Sequence, residues 1–235
     1  MKIAAVSTSI VPSTYANSIQ VMKVCHALRQ VNGEVRLWAL GEAKADWQPL
    51  ARQYGLETPF EIRWLRSQRF WRRYDFAWKA VEESLAWGAD VVYTWTLQTA
   101  ILALWRGLPV ILELHDMPSG NAGPLLFRLF ARHHGKKRLL AITNALRQKL
   151  EKRFAPHLAP NEIIIAPNGV DLEHYQGLPS PEESRAQLGL PQAPTALYSG
   201  HFYRGRGIGM LFELAQRFPQ VCFLWVGGLP EDRAY

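Results

Sequence analysis

Cysteine is scarce: Cys25 and Cys222 are the only two in 235 residues. Two cannot build a disulfide framework, and their separation does not suit a metal site. A reducing cytoplasm fits that usage, with a peripheral place at the inner membrane face as an extension. Long apolar runs are missing too. A membrane-spanning helix needs about 18 or more consecutive apolar residues, and the nearest candidate, residues 99–114, is interrupted by Arg106, Gly107 and Pro109. Residues 1–10 lack the apolar h-region and cleavage site of a signal peptide and read as a strand. His133-His134 has no third ligand at metal spacing, so no metal is expected. Neither GxGxxG, nor a Walker A loop, nor a nucleophile elbow occurs. No repeat or low-complexity tract appears.

What is present is an ordinary globular composition. At 48% hydrophobic and 20% charged residues, the chain can bury a core. It is too long for one minimal domain and short for two complete α/β domains of roughly 150 residues each. The net charge of +7 favours anionic partners such as nucleotide phosphates or anionic lipid. Charge alone also admits nucleic acid, but no binding motif supports that role, and none is expected.

Strand and helix patterns alternate from the first residue. Ile3–Ser7 is a short apolar strand. Val21, Val24, Cys25 and Leu28 then recur at helical spacing, with Asn17 or Ser18 as N-cap and Asn32-Gly33 as the stop. Val35–Trp38 is the next strand, so the pair is parallel. Helix Tyr74–Trp87, strand Asp90–Thr94, helix Gln98–Arg106 and strand Pro109–His115 follow. Helix Leu125–His134, strand Arg138–Thr143, helix Asn144–Phe154 and strand Glu162–Ala166 complete the set. The alternation predicts an α/β, doubly wound parallel sheet over residues 1–175. Prolines punctuate a linker at 176–194 that holds one short helix, Glu182–Leu188. A fresh β-α-β unit (Thr195–Ser199, Met210–Phe218, Val221–Val226) fills 195–235. About 40 residues rarely bury a core alone, so a sheet edge and an apolar face there are expected to drive homodimerisation or partial disorder.

In such sheets ligands sit at the carboxyl ends of the strands, which singles out three segments. The loop Ser9–Ser18, with Ala16, Asn17 and Ser18, feeds a helix N-terminus suited to phosphate or sugar hydroxyls. An ordinary capped loop explains it equally well. His115-Asp116 ends a buried strand, where the pair could contact substrate or move a proton. A His that merely closes the loop locally is the bland alternative. Gly200, His201, Arg204, Arg206 and Gly207 lie in a glycine-rich loop between strand and helix. Glycine lets backbone approach a diphosphate, and arginine supplies bidentate charge. A flexible turn with surface arginines is the competing reading. Apart from these, Arg63–Arg73 interleaves arginines with aromatics on an expected helix. It suits an anionic membrane surface or single-stranded nucleic acid bound by stacking, or else a solvated basic helix with its aromatics turned inward.

Taken in order, these segments resemble the retaining GT-B glycosyltransferases of family 4. The likeness runs through Val11-Pro12-Ser13, Ala16–Lys23, Asp90–Thr94, Glu113–Asp116, Ile142–Leu146, Pro167–Asp171 and Gly200–Gly207. It implies one complete Rossmann-like acceptor domain plus the opening β-α-β part of a nucleotide-sugar-binding domain. It further implies a UDP- or GDP-sugar co-substrate, a glycan, lipid or small acceptor, no metal and no other cofactor. By the same resemblance, Ala16-Asn17-Ser18 lies nearest phosphates and acceptor, and His115 and Asp116 serve catalysis at the donor sugar. Gly200, His201, Arg204, Arg206 and Gly207 bind the diphosphate, and Asn168 and Asp171 mark the hinge. The family's paired glutamates (E-x7-E) are missing after the glycine loop. The chain is therefore expected to be truncated, with weak or no transfer, and a non-catalytic acceptor- or membrane-binding module is the alternative.

Overall fold

The computed structural model describes residues 1–42, 45–71, 73–154, 158, 162–202 and 205–228. The chain divides into two compact units, Met1–Gly169 and Val170–Tyr235. Residues 176–194 cluster with the second.

The first unit runs β1 (Lys2–Ile10), α1 (Ala16–Gln30), β2 (Glu34–Leu40), α2 (Trp47–Tyr54), β3 (Glu61–Leu65), α3 (Tyr74–Ala86) and β4 (Val91–Thr94). It continues with α4 (Leu97–Trp105), β5 (Val110–Leu114), α5 (Gly123–Arg132), β6 (Lys137–Ala141), α6 (Asn144–Phe154) and β7 (Ile163–Ile165). The seven strands form one parallel sheet in the order β3-β2-β1-β4-β5-β6-β7. This is the α/β, Rossmann-like, doubly wound sheet that the alternation predicts. Its strand order reverses between β1 and β4, which opens a crevice at their carboxyl ends.

Period-two alternation splits the strands between two cores. Ile3 and Ala5 of β1, with Val35 and Leu37 of β2, join Val21, Met22 and Cys25 of α1 and Leu50 of α2. Ala4 and Val6 of β1 and Leu112 of β5 instead join Phe76, Phe127, Phe130 and Phe154. Trp38 is fully buried in that second core, and its indole N–H donates to Glu83 at 2.8 Å. Burial of Cys25 pushes its thiol well above the ordinary range, with the Glu113 charge adding to the shift, so it behaves as an inert core residue.

Three local expectations are corrected. The helix read over Arg63–Arg73 is instead the edge strand β3, a loop, and a 3₁₀ turn at Arg69–Trp71. Its arginines are also less free than charge counting implied: Arg63 pairs with Glu61 at 2.8 Å and Arg66 with Glu42 at 2.6 Å. Second, the N-cap of α1 is Tyr15, not Asn17 or Ser18. The buried Ser18 hydroxyl donates to the Ile10 carbonyl at 2.7 Å, which ties the loop down and leaves the helix start without a side-chain cap. Third, α2 forms where the sequence pattern predicts no helix, and β3 where it predicts no strand.

The second unit holds a 3₁₀ turn (Leu172–Tyr175), α7 (Pro181–Leu188), β8 (Thr195–Ser199), α8 (Ile208–Arg217) and β9 (Cys222–Val226). Ser180 and Glu183 form a capping box at the start of α7, and Gly189 ends it in the left-handed conformation. β8 and β9 pair in parallel as a two-stranded sheet. None of the described residues of this unit is buried.

Candidate functional site

A cavity of about 800 Å³ opens at the carboxyl ends of β1, β4 and β5. Its walls are the end of β1 (Ser7, Thr8), the first turns of α1 (Asn17, Gln20), the β4–α4 turn (Trp95, Thr96) and the segment after β5 from His115 to Gly123. This is the switch point of the sheet, where an open α/β fold holds ligands.

Helices α1, α4 and α5 begin at this cavity, and none has an acidic residue in its first turn or a side-chain cap. Residues of their first turns line the cavity, and the positive dipole ends meet no acid from those turns. Such a rim suits phosphate oxygens or sugar hydroxyls. The β4–α4 turn is rigid: Thr94 Oγ1 donates to the Val6 carbonyl at 2.9 Å, and Thr96 Oγ1 donates to Thr99 at 2.7 Å.

The acid at the centre of the site is Glu113. Along β5, Val110, Leu112 and Leu114 face one core, so Glu113 faces the other, beside Tyr93 and α1. A carboxylate there, only 4% exposed, persists only with partners. It has them. The Tyr93 hydroxyl donates a short hydrogen bond to Oε2, His115 Nε2 lies 2.5 Å from Oε1, and Gln20 Nε2 is at 3.5 Å. Burial raises the Glu113 carboxyl, but the hydrogen bonds from His115 and Tyr93 outweigh it and hold it below the usual range. Burial and the adjacent carboxylate push the Tyr93 hydroxyl far upward, so it stays a donor. The Trp95 indole N–H is buried with no hydrogen-bond partner among the described residues.

His115 is about one-third exposed and reaches the cavity while Glu113 fixes its ring. With Nε2 engaged by a carboxylate, Nε2 carries a proton and Nδ1 is the nitrogen left for another partner. Asp116 is exposed and lines the same cavity. Asn17 lines it too, Ala16 is the exposed first residue of α1, and Ser18 is withdrawn into the loop. Glu113, absent from the expected site residues, is the group the sequence reading missed. The signal was a lone carboxylate inside an otherwise apolar parallel strand, which demands buried partners.

In the second unit, Gly200 takes φ of 147° because its backbone is pinned on both sides. Its N–H donates to Val226 at 2.9 Å, and its carbonyl accepts from Gly228 at 3.0 Å. Tyr198 donates to the His201 carbonyl at 2.9 Å. Arg206 precedes Gly207, the left-handed N-cap of α8, whose first turn also lacks acids. Arg204 lies outside the described residues. Asn168 and Asp171 flank the division between the units, and Asp171 is the N-cap of the 3₁₀ turn.

The description Glycosyltransferase Family 4 matches residues 18–174 of this sequence, and the chain belongs to that family. No curated protein matches it. Among solved structures the chain is similar to HepE from Anabaena in complex with UDP-glucose, with TM-score 0.68 and 20% identity, over 100% of this chain and 63% of that one. It is similar to a glycosyltransferase from Rickettsia africae, with TM-score 0.65 and 12% identity, over 96% of this chain and 68% of that one. It is also similar to UDP-GlcNAc 2-epimerase from Neisseria meningitidis bound to UDP-GlcNAc, with TM-score 0.63 and 15% identity, over 99% of this chain and 67% of that one. The fold is thus glycosyltransferase-like, of the GT-B kind, and neighbours of this fold bind nucleotide sugars. The chain spans about 63% of the length of HepE. Among the described residues no group of acidic, His or Cys side chains could hold a metal, and no helix is long and apolar enough to cross a membrane.

Proposed function

We propose that this chain binds a nucleotide sugar, UDP- or GDP-linked, as part of a retaining glycosyltransferase acting on a glycan, lipid or small acceptor. The observation that carries the reading is the cavity at the β1/β4 switch point, rimmed by three uncapped helix starts and holding the Glu113–His115 pair. In this role His115 hydrogen-bonds a sugar hydroxyl, and the helix starts stabilise negative charge on the leaving diphosphate. Asp116 stands beside His115 as a second polar contact. The glycine-rich loop Gly200–Gly207, with His201, Arg204 and Arg206, takes the diphosphate itself, and Asn168 and Asp171 serve as the hinge. Calorimetric titration with UDP, GDP and their sugars tests the reading. Micromolar binding to one base supports it, and no binding to any of them overturns it.

A second reading, a module that docks on an anionic membrane surface, draws on Phe70 and Trp71, which are 88% and 56% exposed beside Arg66 and Arg73. Aromatics at that exposure next to cations suit an interfacial anchor. Flotation with phosphatidylglycerol vesicles tests it: capture should be lost in Phe70→Ser/Trp71→Ser, and retention by that variant rejects it.

A further inference from the structure

Arg73 occupies a position that suits glycine or asparagine better. It is the N-cap of α3 with φ of 71°, and Asn32 is the only other non-glycine residue with positive φ among the described residues. A long side chain adopts this conformation at a cost in free energy and persists there when the surroundings hold it. What holds the guanidinium is Thr8, at the carboxyl end of β1: Arg73 Nη1 donates to Thr8 Oγ1 at 3.2 Å.

That bond places a cation at the edge of the candidate site. Thr8, Thr96 and Gln98 line the main cavity, and the same three residues line a side recess of about 60 Å³ bounded by Arg73 and Ala77. The recess is small beside the main cavity, about 60 Å³ against about 800 Å³, and has room for a small oxyanion group. Beyond it, Arg73 and Gln98 also face a shallower depression of about 550 Å³ with Arg66 and Ser67. The acids there are engaged: Glu42 pairs with Arg66 at 2.6 Å, and Asp75 accepts from Ser67 Oγ at 2.7 Å and from the Gln68 N–H at 2.8 Å. Among the described residues no carboxylate pairs with Arg73. A guanidinium with one N–H committed to Thr8 keeps the remaining fork for an oxyanion, the geometry in which arginine binds phosphate best.

We propose that Arg73, with Thr8 and Gln98, forms an anion subsite that holds a phosphate group on the acceptor while the rest of the acceptor extends into the main cavity toward His115. The word acceptor rests on the glycosyltransferase reading; the anion site does not. The phosphate belongs either to a soluble sugar phosphate or to a lipid headgroup.

The test is calorimetric titration of the full chain with glucose 6-phosphate, glucose and UDP, for wild type, Arg73→Asn, Arg73→Gly and the surface control Arg106→Gln. Asparagine and glycine both accept the left-handed backbone, so these variants remove the charge and keep the turn. Wild type and Arg106→Gln should bind glucose 6-phosphate at least tenfold more tightly than glucose. Both Arg73 variants should lose that preference and keep the wild-type affinity for UDP. A lipid source shows instead as capture on phosphatidylglycerol but not phosphatidylcholine vesicles, abolished in both Arg73 variants. Phosphate preference unchanged in Arg73→Asn, with vesicle capture also unchanged, overturns the proposal. So does a parallel loss of UDP affinity, which assigns Arg73 to the donor. If UDP fails to bind while Arg73-dependent phosphate binding persists, the glycosyltransferase reading falls and the anion site stands. UDP binding without any Arg73-dependent anion binding is the converse.

Discussion

His115 Nε2 lies 2.5 Å from Glu113 Oε1, and the two side chains share one face because they stand two residues apart at the end of β5. The pairing turns a partly exposed imidazole into an oriented group. Its ring is held from inside the protein by a carboxylate that Tyr93 also grips. A His free to rotate at a strand end would present either nitrogen to a ligand; this one presents Nδ1.

The carboxylate should therefore matter to stability as well as to binding. Replacing Glu113 with Ala leaves the buried Tyr93 hydroxyl and His115 N–H without their acceptor. Stranding the buried Tyr93 hydroxyl costs about 1–3 kcal/mol before relaxation and the part-exposed His115 N–H adds less, so urea unfolding of Glu113→Ala should show a clear loss. Glu113→Gln, which keeps an acceptor oxygen, should lose less.

Acid should act through the same residue. Glu113 titrates lower in the folded chain than its ordinary 4.5. Its contribution is then fully present above pH 4.5 and is lost as pH falls through the depressed folded value. As pH falls below 4.5, wild type should lose stability more steeply than Glu113→Gln, measured as melting temperature against pH.

The two units should differ in protection. Ala4, Val6, Val92 and Leu112 in the sheet of the first unit are fully buried, whereas no described residue from 170 onward is buried. Amide exchange is slow where opening needs global unfolding and fast where few apolar contacts resist it. Protection is expected to be high in β1, β4 and β5 and low in β8, α8 and β9. Equal protection throughout would contradict the burial pattern.

How much of this was legible in the sequence depended on the element. The buried strand β5 and the helix α6, Asn144–Phe154, were readable because apolar content and period agree. β3 was missed because an edge strand tolerates Glu61 and Arg63 on its exposed face and so lacks a continuous apolar run. α2 was missed because Pro49 sits inside it. At the third helical position proline sacrifices only an N–H that has no intrahelical partner. The position of His115 in the cavity followed from the strand-end rule. The Glu113–Tyr93 bond did not, because it depends on which parity of β5 meets β4, and only the assembled sheet settles that. The Arg73 turn was invisible for a similar reason: nothing in its neighbours calls for a left-handed backbone.

The glycine loop makes a separate prediction. A Cβ at Gly227 would lie 2.4 Å from the Gly200 carbonyl oxygen, too close for either backbone to stay in place. Gly227→Ala should displace the Gly200 loop and weaken nucleotide binding at least several-fold, with the thermal unfolding of the first unit unchanged. Unaltered nucleotide affinity in a folded Gly227→Ala chain would remove the loop from the site.

The most direct measurement follows the ring nitrogens and backbone amides by NMR while a UDP- or GDP-sugar, and then the bare nucleoside diphosphate, is added. The account predicts that the nucleotide sugar shifts His115 Nδ1 and the amides of residues 7–9, 17–20 and 113–117. The bare diphosphate should leave His115 Nδ1 in place. Perturbations confined to other surfaces, or a His115 ring indifferent to the sugar, would contradict the assignment of this cavity to the donor sugar.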